Sequence, residues 1–308
     1  MRPEAAPFRP TRSPTRSAPP LRSGGWAAPR APRWWHRFRR QPSAVVGLAL
    51  VLPIAFVALA AARLAPGNPL ASVGPALQPP SSTYWLGTDD LGRGILAGLL
   101  HGARASLFVG LSVALIATII GVLVGGVAGF FGGWVDDGLM RLTELVQVLP
   151  RFFLAILVAA LFGGSLLNIV LLLGLTFWPS TARLLRAQLL SLREREFAVA
   201  ARAVGAAPAT VLLRHVLPNA LPPVMVNASL QVGGAILIEA GLSFLGLGDR
   251  GQVSWGYMLN NAQAFFQLAW WMSVFPGLAL LLTVVGVNLV ADGLNEAGNP
   301  QLAEDRRP

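Results

Sequence analysis

The segment at residues 105–131 has the sequence ASLFVGLSVALIATIIGVLVGGVAGFF, which contains no charged side chain. A helix needs about 20 consecutive apolar residues to cross the hydrocarbon core of a bilayer. The segment exceeds that length, so it predicts a helix that spans a membrane. Similar apolar runs recur on both sides of it.

The composition of the whole chain agrees with a membrane location. Of its 308 residues, 54% are hydrophobic and only 12% are charged, and the mean hydropathy is +0.59. Soluble domains carry roughly 25% charged residues. So few charges cannot easily keep a globule of this size in water, and the deficit points to lipid.

Six apolar stretches are long enough, or nearly so, to cross a bilayer. The sequence therefore predicts an all-α, polytopic membrane protein with six transmembrane helices. The predicted spans are residues 44–64, 105–131, 142–162, 166–185, 221–245 and 268–290.

The predicted organisation places a basic arm before the spans and a short tail after them. Residues 1–43 hold ten arginines and one glutamate among many prolines, which predicts a disordered cytoplasmic arm. Its arginines alternate with aromatic residues near the first span, which favours lipid headgroups over nucleic acid. Residues 44–104 form the first span and an outer loop, residues 105–295 a five-helix core, and residues 296–308 a cytoplasmic tail.

The distribution of arginine sets the orientation. The arm and the polar loop at residues 186–217 are the most basic segments, and positive loops stay on the cytoplasmic side. Four predicted spans separate them, so both lie on the same side and both termini are predicted to be cytoplasmic. The turn at residues 132–141 is also inside and slightly acidic, a small contrary sign.

The composition excludes several chemistries. The chain has no cysteine and no lysine, so it has no thiolate metal site, no Schiff-base lysine and no P-loop lysine for nucleotide phosphates. Its histidines, His36, His101 and His215, are too far apart in sequence to indicate a metal cluster. We expect a protein that is not an enzyme.

The loop at residues 186–217 predicts two short helices. Alanine, arginine and glutamate at 194–203 favour a helix, Gly205 is a plausible stop, and Pro208 suits the first turn of a second helix. Pro218 is expected to close that second helix. The small alanine side chains suit a helix that fits a groove on a cytosolic partner. A connector lying on the membrane is the alternative.

This loop resembles the "EAA" coupling loop of bacterial ABC importer permeases. The pattern is a Glu-Ala-Ala triplet, a glycine four residues on, and a later Leu-Pro. The matching residues are Ala200, Ala201, Gly205, Leu217 and Pro218. The glutamate position holds Val199, and Glu196 one turn earlier could supply the carboxylate.

Two further segments resemble the dipeptide, oligopeptide and nickel permeases of that group. Residues 86–93 (LGTDDLGR), followed by 102–107 (GARASL), are similar to the segment before their second helix. Residues 236–248 (ILIEAGLSFLGLG), followed by 254–256 (SWG), are similar to a later one. The matches span about residues 80–295 in the right order and fit the second permease subunit of such systems.

The resemblance implies a type I ABC importer permease for dipeptides, oligopeptides or a related small solute. Its partners would be a homologous second permease, two P-loop ATPases and an extracytoplasmic solute-binding protein, in the inner membrane of a bacterium. ATP would bind to the ATPases, so the chain itself would hold no cofactor. The residues implied in coupling are Glu196, Ala200, Ala201, Arg202, Gly205, Leu217 and Pro218. An ion channel or secondary transporter without an ATPase is the alternative.

Polar side chains inside predicted spans are candidates for the translocation path, because such groups are costly in lipid. They are Glu144, Gln147, Asn227, Gln231 and Glu239. Glu144 lies near a span end and could instead pair with an arginine such as Arg141 or Arg151.

Two other patterns leave alternatives open. Asp89 and Asp90 could cap a helix or shape a turn, or they could contact an external delivery protein. The glycines at positions 121, 125 and 129 predict a close helix-packing face. That face could serve the fold of this chain or the contact with a second permease.

Overall fold

The computed structural model describes residues 38–298, and it is built from helices joined by loops. The helices are α1 (Pro42–Leu64), α2 (Ile95–Phe131), α3 (Gly133–Val148), α4 (Arg151–Phe162), α5 (Leu166–Leu192), α6 (Glu196–Ala203), α7 (Pro208–Val211), α8 (Leu217–Phe244), α9 (Trp255–Ala262) and α10 (Trp271–Gly298). Most of the predicted basic arm, 1–43, and of the predicted tail, 296–308, lies outside the described residues.

Five segments of the described chain are long and apolar enough to cross a membrane. They are α1, α2, α5, the continuous stretch Pro208–Phe244 that contains α8, and α10. A sixth crossing exists if α3 and α4 are counted as one span. The all-α membrane architecture predicted from the sequence is thereby confirmed.

The third predicted span, 142–162, is not one straight helix. Helices α3 and α4 meet at a bend of 72°, and Leu149 between them is extended, with φ −67° and ψ 124°. The cause is Pro150, which lacks an N–H and disfavours helical backbone at the residue before it. A hydropathy pattern does not register this break, because both halves are apolar.

Helix α2 begins ten residues earlier than predicted. It runs from Ile95 over 37 residues, about 55 Å at 1.5 Å per residue, which exceeds the roughly 30 Å hydrocarbon core. The apolar pattern starts only after Arg104, but His101 and Arg104 lie within the helix. A helix that extends beyond the lipid can carry polar residues, so hydropathy underestimates its length.

The three glycines of α2 pack against α5. A Cβ placed on Gly125 would collide with the backbone of Ala182, and one on Gly129 would lie 2.9 Å from Leu189 Cδ1. Gly121 likewise faces Thr181. The missing side chains let the two helix backbones approach closely. Of the two open interpretations, the structure supports a role in the fold of this chain.

A cap of loop and helix covers the N-terminal ends of α2 and α10. Trp271 Nε1 donates to the carbonyl of Thr88 at 3.1 Å, and Arg93 Nη1 donates to Tyr257 Oη of α9 at 2.9 Å. Asp89 accepts from the backbone N–H groups of Leu91 and Arg93 at 2.9 and 2.7 Å. Its role is therefore to shape the turn. The residue that precedes α2 is Gly94, so Asp89 and Asp90 do not cap that helix.

Candidate functional site

The loop between α5 and α8 contains the predicted helix–turn–helix. Helix α6 stops where Gly205 adopts φ +84°. The N–H of Gly205 donates to Arg202 O at 2.9 Å, and the N–H of Ala206 donates to Ala201 O at 3.1 Å. This pair of bonds is the Schellman arrangement, which satisfies carbonyls at a helix end and favours glycine. The predicted stop at Gly205 is confirmed.

The prediction that Pro218 closes the second helix is wrong. Helix α7 continues through a π-helical turn, Leu212–Val216, directly into α8. Pro218 therefore lies in the first turn of α8, where a residue without an N–H is tolerated. The π-helical turn bonds Leu217 N to Leu212 O, five residues back, and such wider turns occur inside α-helices. The chain thus passes from the loop into a membrane-spanning helix without a break.

One face of α6 is packed and the other is free. Ala198 is fully buried, and it belongs to a cluster with Leu185 and Leu189 of α5 and Val224 of α8. Val204, on the opposite side, has 86% of its surface exposed. Helix α6 thus packs against α5 and α8 with one face, and its other face presents an apolar surface to the outside of the chain. We call this surface the α6 face; its members are Val199, Ala200, Ala203 and Val204, all exposed.

The residues predicted for coupling divide between these two environments. Glu196, Ala200, Gly205 and Pro218 are exposed, whereas Ala201 and Leu217 pack against the buried cluster. Arg202 is exposed and donates through Nη2 to Arg193 O at 2.7 Å. It therefore ties α6 to the end of α5. Val199 and Val204, absent from the predicted set, form much of the outward surface, because exposure depends on packing.

A group of polar side chains joins α5 and α8 within the membrane-spanning region. Asn227 Nδ2 donates to Thr181 Oγ1 at 2.9 Å. Gln231 Nε2 donates to the same oxygen at 2.9 Å and to Ser180 Oγ at 3.1 Å. Gln231 Oε1 is buried and has no hydrogen-bond partner within residues 38–298. The structure thus brings two of the five predicted path residues together.

Two arginines that are not among the predicted site residues lie on neighbouring helices. The guanidinium of Arg183, on α5, donates to Oε1 of Gln147 on α3. Arg151, at the start of α4, places its guanidinium carbon 4.7 Å from the centre of the Phe177 ring. Both arginines lie in or beside predicted apolar spans. A charged residue in an apolar run is the sequence feature that could have identified them.

The remaining predicted path residues lie elsewhere. Glu144 pairs with Arg141 at 3.4 Å, and both side chains are exposed. Glu239 has no exposed surface; one carboxylate oxygen accepts from Ser243 Oγ at 2.7 Å, and the other has no partner among the described residues. The structure therefore does not gather the five predicted residues into one site, and their assignment to a path stays a prediction.

Comparisons with known proteins agree on one family. Residues 117–304 match the binding-protein-dependent transport system inner membrane component family. Residues 32–80 match the N-terminal transmembrane domain of oligopeptide transport permease C.

Individual relatives cover most of the chain. A dipeptide transport system permease protein of Escherichia coli strain K12 is 42% identical over 88% of this chain and 93% of its own length. One from Alkalihalophilus pseudofirmus is 36% identical over 86% and 88%. A putative peptide permease of Brucella suis is 39% identical over 86% and 89%.

A solved structure shares the fold. It is an inward-facing MetNI methionine ABC transporter, with TM-score 0.50 and 18% identity, covering 68% of this chain and 97% of that one.

Proposed function

Because the chain belongs to the family of binding-protein-dependent transport system inner membrane components, we propose that it is the permease subunit of an ATP-driven importer for dipeptides or oligopeptides. The substrate class rests on the similar permeases, which are described as dipeptide and peptide permeases. The family is one of transport permeases, which favours an importer over a channel or secondary transporter that works without an ATPase.

The α6 face is the observation that carries the coupling function. It is a small apolar surface on a helix whose other side packs on α5 and α8. A groove on a cytosolic ATPase could bury this surface. Force applied to α6 would then reach two membrane-spanning helices directly, because no flexible linker separates α7 from α8. This arrangement suits a rigid-body switch of the bundle.

The partners follow from this assignment. The chain would assemble with a homologous second permease, two P-loop ATPases and an extracytoplasmic solute-binding protein, all in or at the inner membrane. ATP would bind to the ATPases, which supply the lysine that this chain lacks. The loop from α5 to α8 carries Arg193, Arg195, Arg202 and Arg214, which favours a cytoplasmic position for it and for both termini.

Co-purification from native membranes tests this function. The tagged chain is extracted in mild detergent and its companions are identified by mass spectrometry. We expect a P-loop ATPase and a second permease of similar size, and ATP-dependent peptide uptake after reconstitution with the binding protein. Recovery of the chain alone or as a homo-oligomer, with uptake driven by an ion gradient, would contradict the proposal.

A further inference from the structure

Two of the arginines that have no acidic partner in the described part of the chain, Arg151 and Arg183, contact a neighbouring helix of the bundle. Within residues 38–298, the ion pairs of arginine involve Asp89, Asp136, Glu144 and Glu194, and none includes Arg151 or Arg183. Arg183 lies nine residues before the end of α5, about 14 Å along the helix. Its side chain is exposed, and Arg151 is half-buried.

The neighbouring arginine of α5 is neutralised. Arg186, one turn further along, forms a bidentate pair with Asp136 of α3. The same two helices therefore offer Arg186 a carboxylate and Arg183 only the neutral amide of Gln147. A charge in a membrane-spanning helix is costly, and such residues generally face a water-filled cavity or mark a substrate pathway. The guanidinium of Arg183 has no anionic partner among the described residues, so it can bind an anion from outside the chain.

The guanidinium of Arg183 contacts the neutral amide of Gln147, and further neutral polar groups lie on the same part of α5. Ser180 precedes Arg183 by three residues, so the two side chains are neighbours on one side of α5. Ser180 Oγ in turn accepts a hydrogen bond from Gln231 Nε2 of α8. The side-chain amide oxygen of Gln231, Oε1, has no partner within the described residues. Amide and hydroxyl groups match the donors and acceptors of a peptide backbone. The planar fork of arginine matches a carboxylate.

We propose that Arg183 binds the C-terminal carboxylate of the transported peptide, with Gln147 orienting the guanidinium. The inference rests on the proposed function and assigns part of its substrate site. The terminal carboxylate is present in peptides of every sequence, so one arginine can serve substrates with different side chains. A lipid phosphate is a second anion that could meet the same group.

Uptake by the reconstituted importer separates these cases. The complete complex is placed in proteoliposomes, and a peptide pair is chosen that the binding protein binds both with a free C-terminus and as the C-terminal amide. Calorimetry sets concentrations that saturate the binding protein with either form. The wild type should import the acid about tenfold faster than the amide, which corresponds to one charge-assisted hydrogen-bonded contact.

The variant Arg183→Gln should slow import of the acid and leave the amide rate unchanged, so that the two rates come within about twofold. Arg183→Lys keeps the positive charge but loses the planar guanidinium that can bind both carboxylate oxygens. It should retain part of the preference for the acid over the amide. Arg141→Gln is the matched control, because Arg141 is an exposed arginine paired with Glu144. It should leave the acid-to-amide ratio at the wild-type value.

Two results would overturn the inference. Equal slowing of both peptides by Arg183→Gln would show that Arg183 supports the structure or binds lipid phosphate. Unchanged import rates for both peptides would show that no carboxylate meets Arg183. These outcomes differ from failure of the proposed function, in which the wild-type complex imports neither peptide with ATP.

Discussion

Gly205 has a backbone conformation that few other residues adopt. Its φ of +84° costs a residue with a β-branched side chain roughly 1–2 kcal/mol. Space is not the obstacle, since a Cβ there would meet nothing within 4 Å. The glycine is therefore needed for the direction of the chain between α6 and α7.

Replacing Gly205 with valine should leave membrane insertion intact and abolish the ATPase stimulation that accompanies transport. The substitution strains the turn that fixes α6 on the bundle, while the membrane-spanning helices keep their contacts. Gly205→Asn is the matched control, because asparagine tolerates positive φ, and it should retain most of the stimulation. ATP hydrolysis by the reconstituted complex measures both. Normal stimulation in the valine variant would refute the coupling role of this turn.

The protonation of Asp89 should make the stability of the loop at 65–94 depend on pH. Burial raises the pKa of its carboxyl above the ordinary value, so the folded loop binds the proton more tightly than the unfolded chain does. Stability is therefore greater below the ordinary pKa and is lost as pH rises through the folded pKa. After correction for the intrinsic pH dependence of amide exchange, the protection factors of the loop at 65–94 should be larger at pH 4 than at pH 7.

Variants of Asp89 separate the charge from the hydrogen bonds. Asp89→Asn keeps an oxygen acceptor for the N–H groups of Leu91 and Arg93 but has no charge, so the protection factors should become nearly independent of pH. Asp89→Ala loses the oxygen that accepts both hydrogen bonds and should destabilise the loop by roughly 1–3 kcal/mol at either pH. Wild-type protection factors that are the same at both pH values would contradict the prediction.

Helices α2 and α5 form the interface that decides how the bundle packs. Gly125→Val should lower the stability of the solubilised chain by roughly 1–3 kcal/mol, because its Cβ collides with the Ala182 backbone. Gly126→Val is the matched control one residue away, where a Cβ meets nothing within 4 Å. Thermal aggregation in detergent measures both. Equal midpoints for the two variants would show that this interface does not limit stability.

The predicted span 142–162 is divided into α3 and α4. Hydropathy predicts one span at 142–162, and only Pro150 signals that it divides. The bend brings Gln147 of α3 to Arg183 of α5 and Arg151 of α4 to the Phe177 ring of α5. Periodicity could not predict this, since the direction of each half is set by its packing.

At the scale of the whole molecule, the α6 face is the surface that a partner would cover. Val204→Glu should leave the fold unchanged, because the side chain is 86% exposed. It should weaken ATPase binding by roughly tenfold or more, because a charge would be buried in an apolar contact. Co-purification of the ATPase measures the effect. Wild-type recovery of the ATPase with this variant would place the docking surface elsewhere.

A matched variant tests whether position or charge matters. Glu144→Gln changes a charge on the exposed surface of α3, away from the α6 face, and should leave ATPase recovery unchanged. If it lowers recovery as much as Val204→Glu does, the ATPase contact extends to α3.

The sequence by itself determined the membrane class, the approximate spans and the turn at Gly205. Each depends on a local property: the length of an apolar run, the position of a glycine that permits positive φ, or a motif of consecutive residues. The resemblance at residues 86–93 and 236–248 likewise needed only contiguous sequence, and the family match bears it out.

Tertiary structure decided which side chains meet. Asn227 and Gln231 reach Thr181 across two helices, Gln147 meets Arg183, and Glu239 lies apart from all of them. It also assigned the α2 glycines to α5 and left Val204 exposed. Helix rotation and the bend at Pro150 set these contacts, and both depend on the packing of segments distant in sequence, which no local pattern specifies.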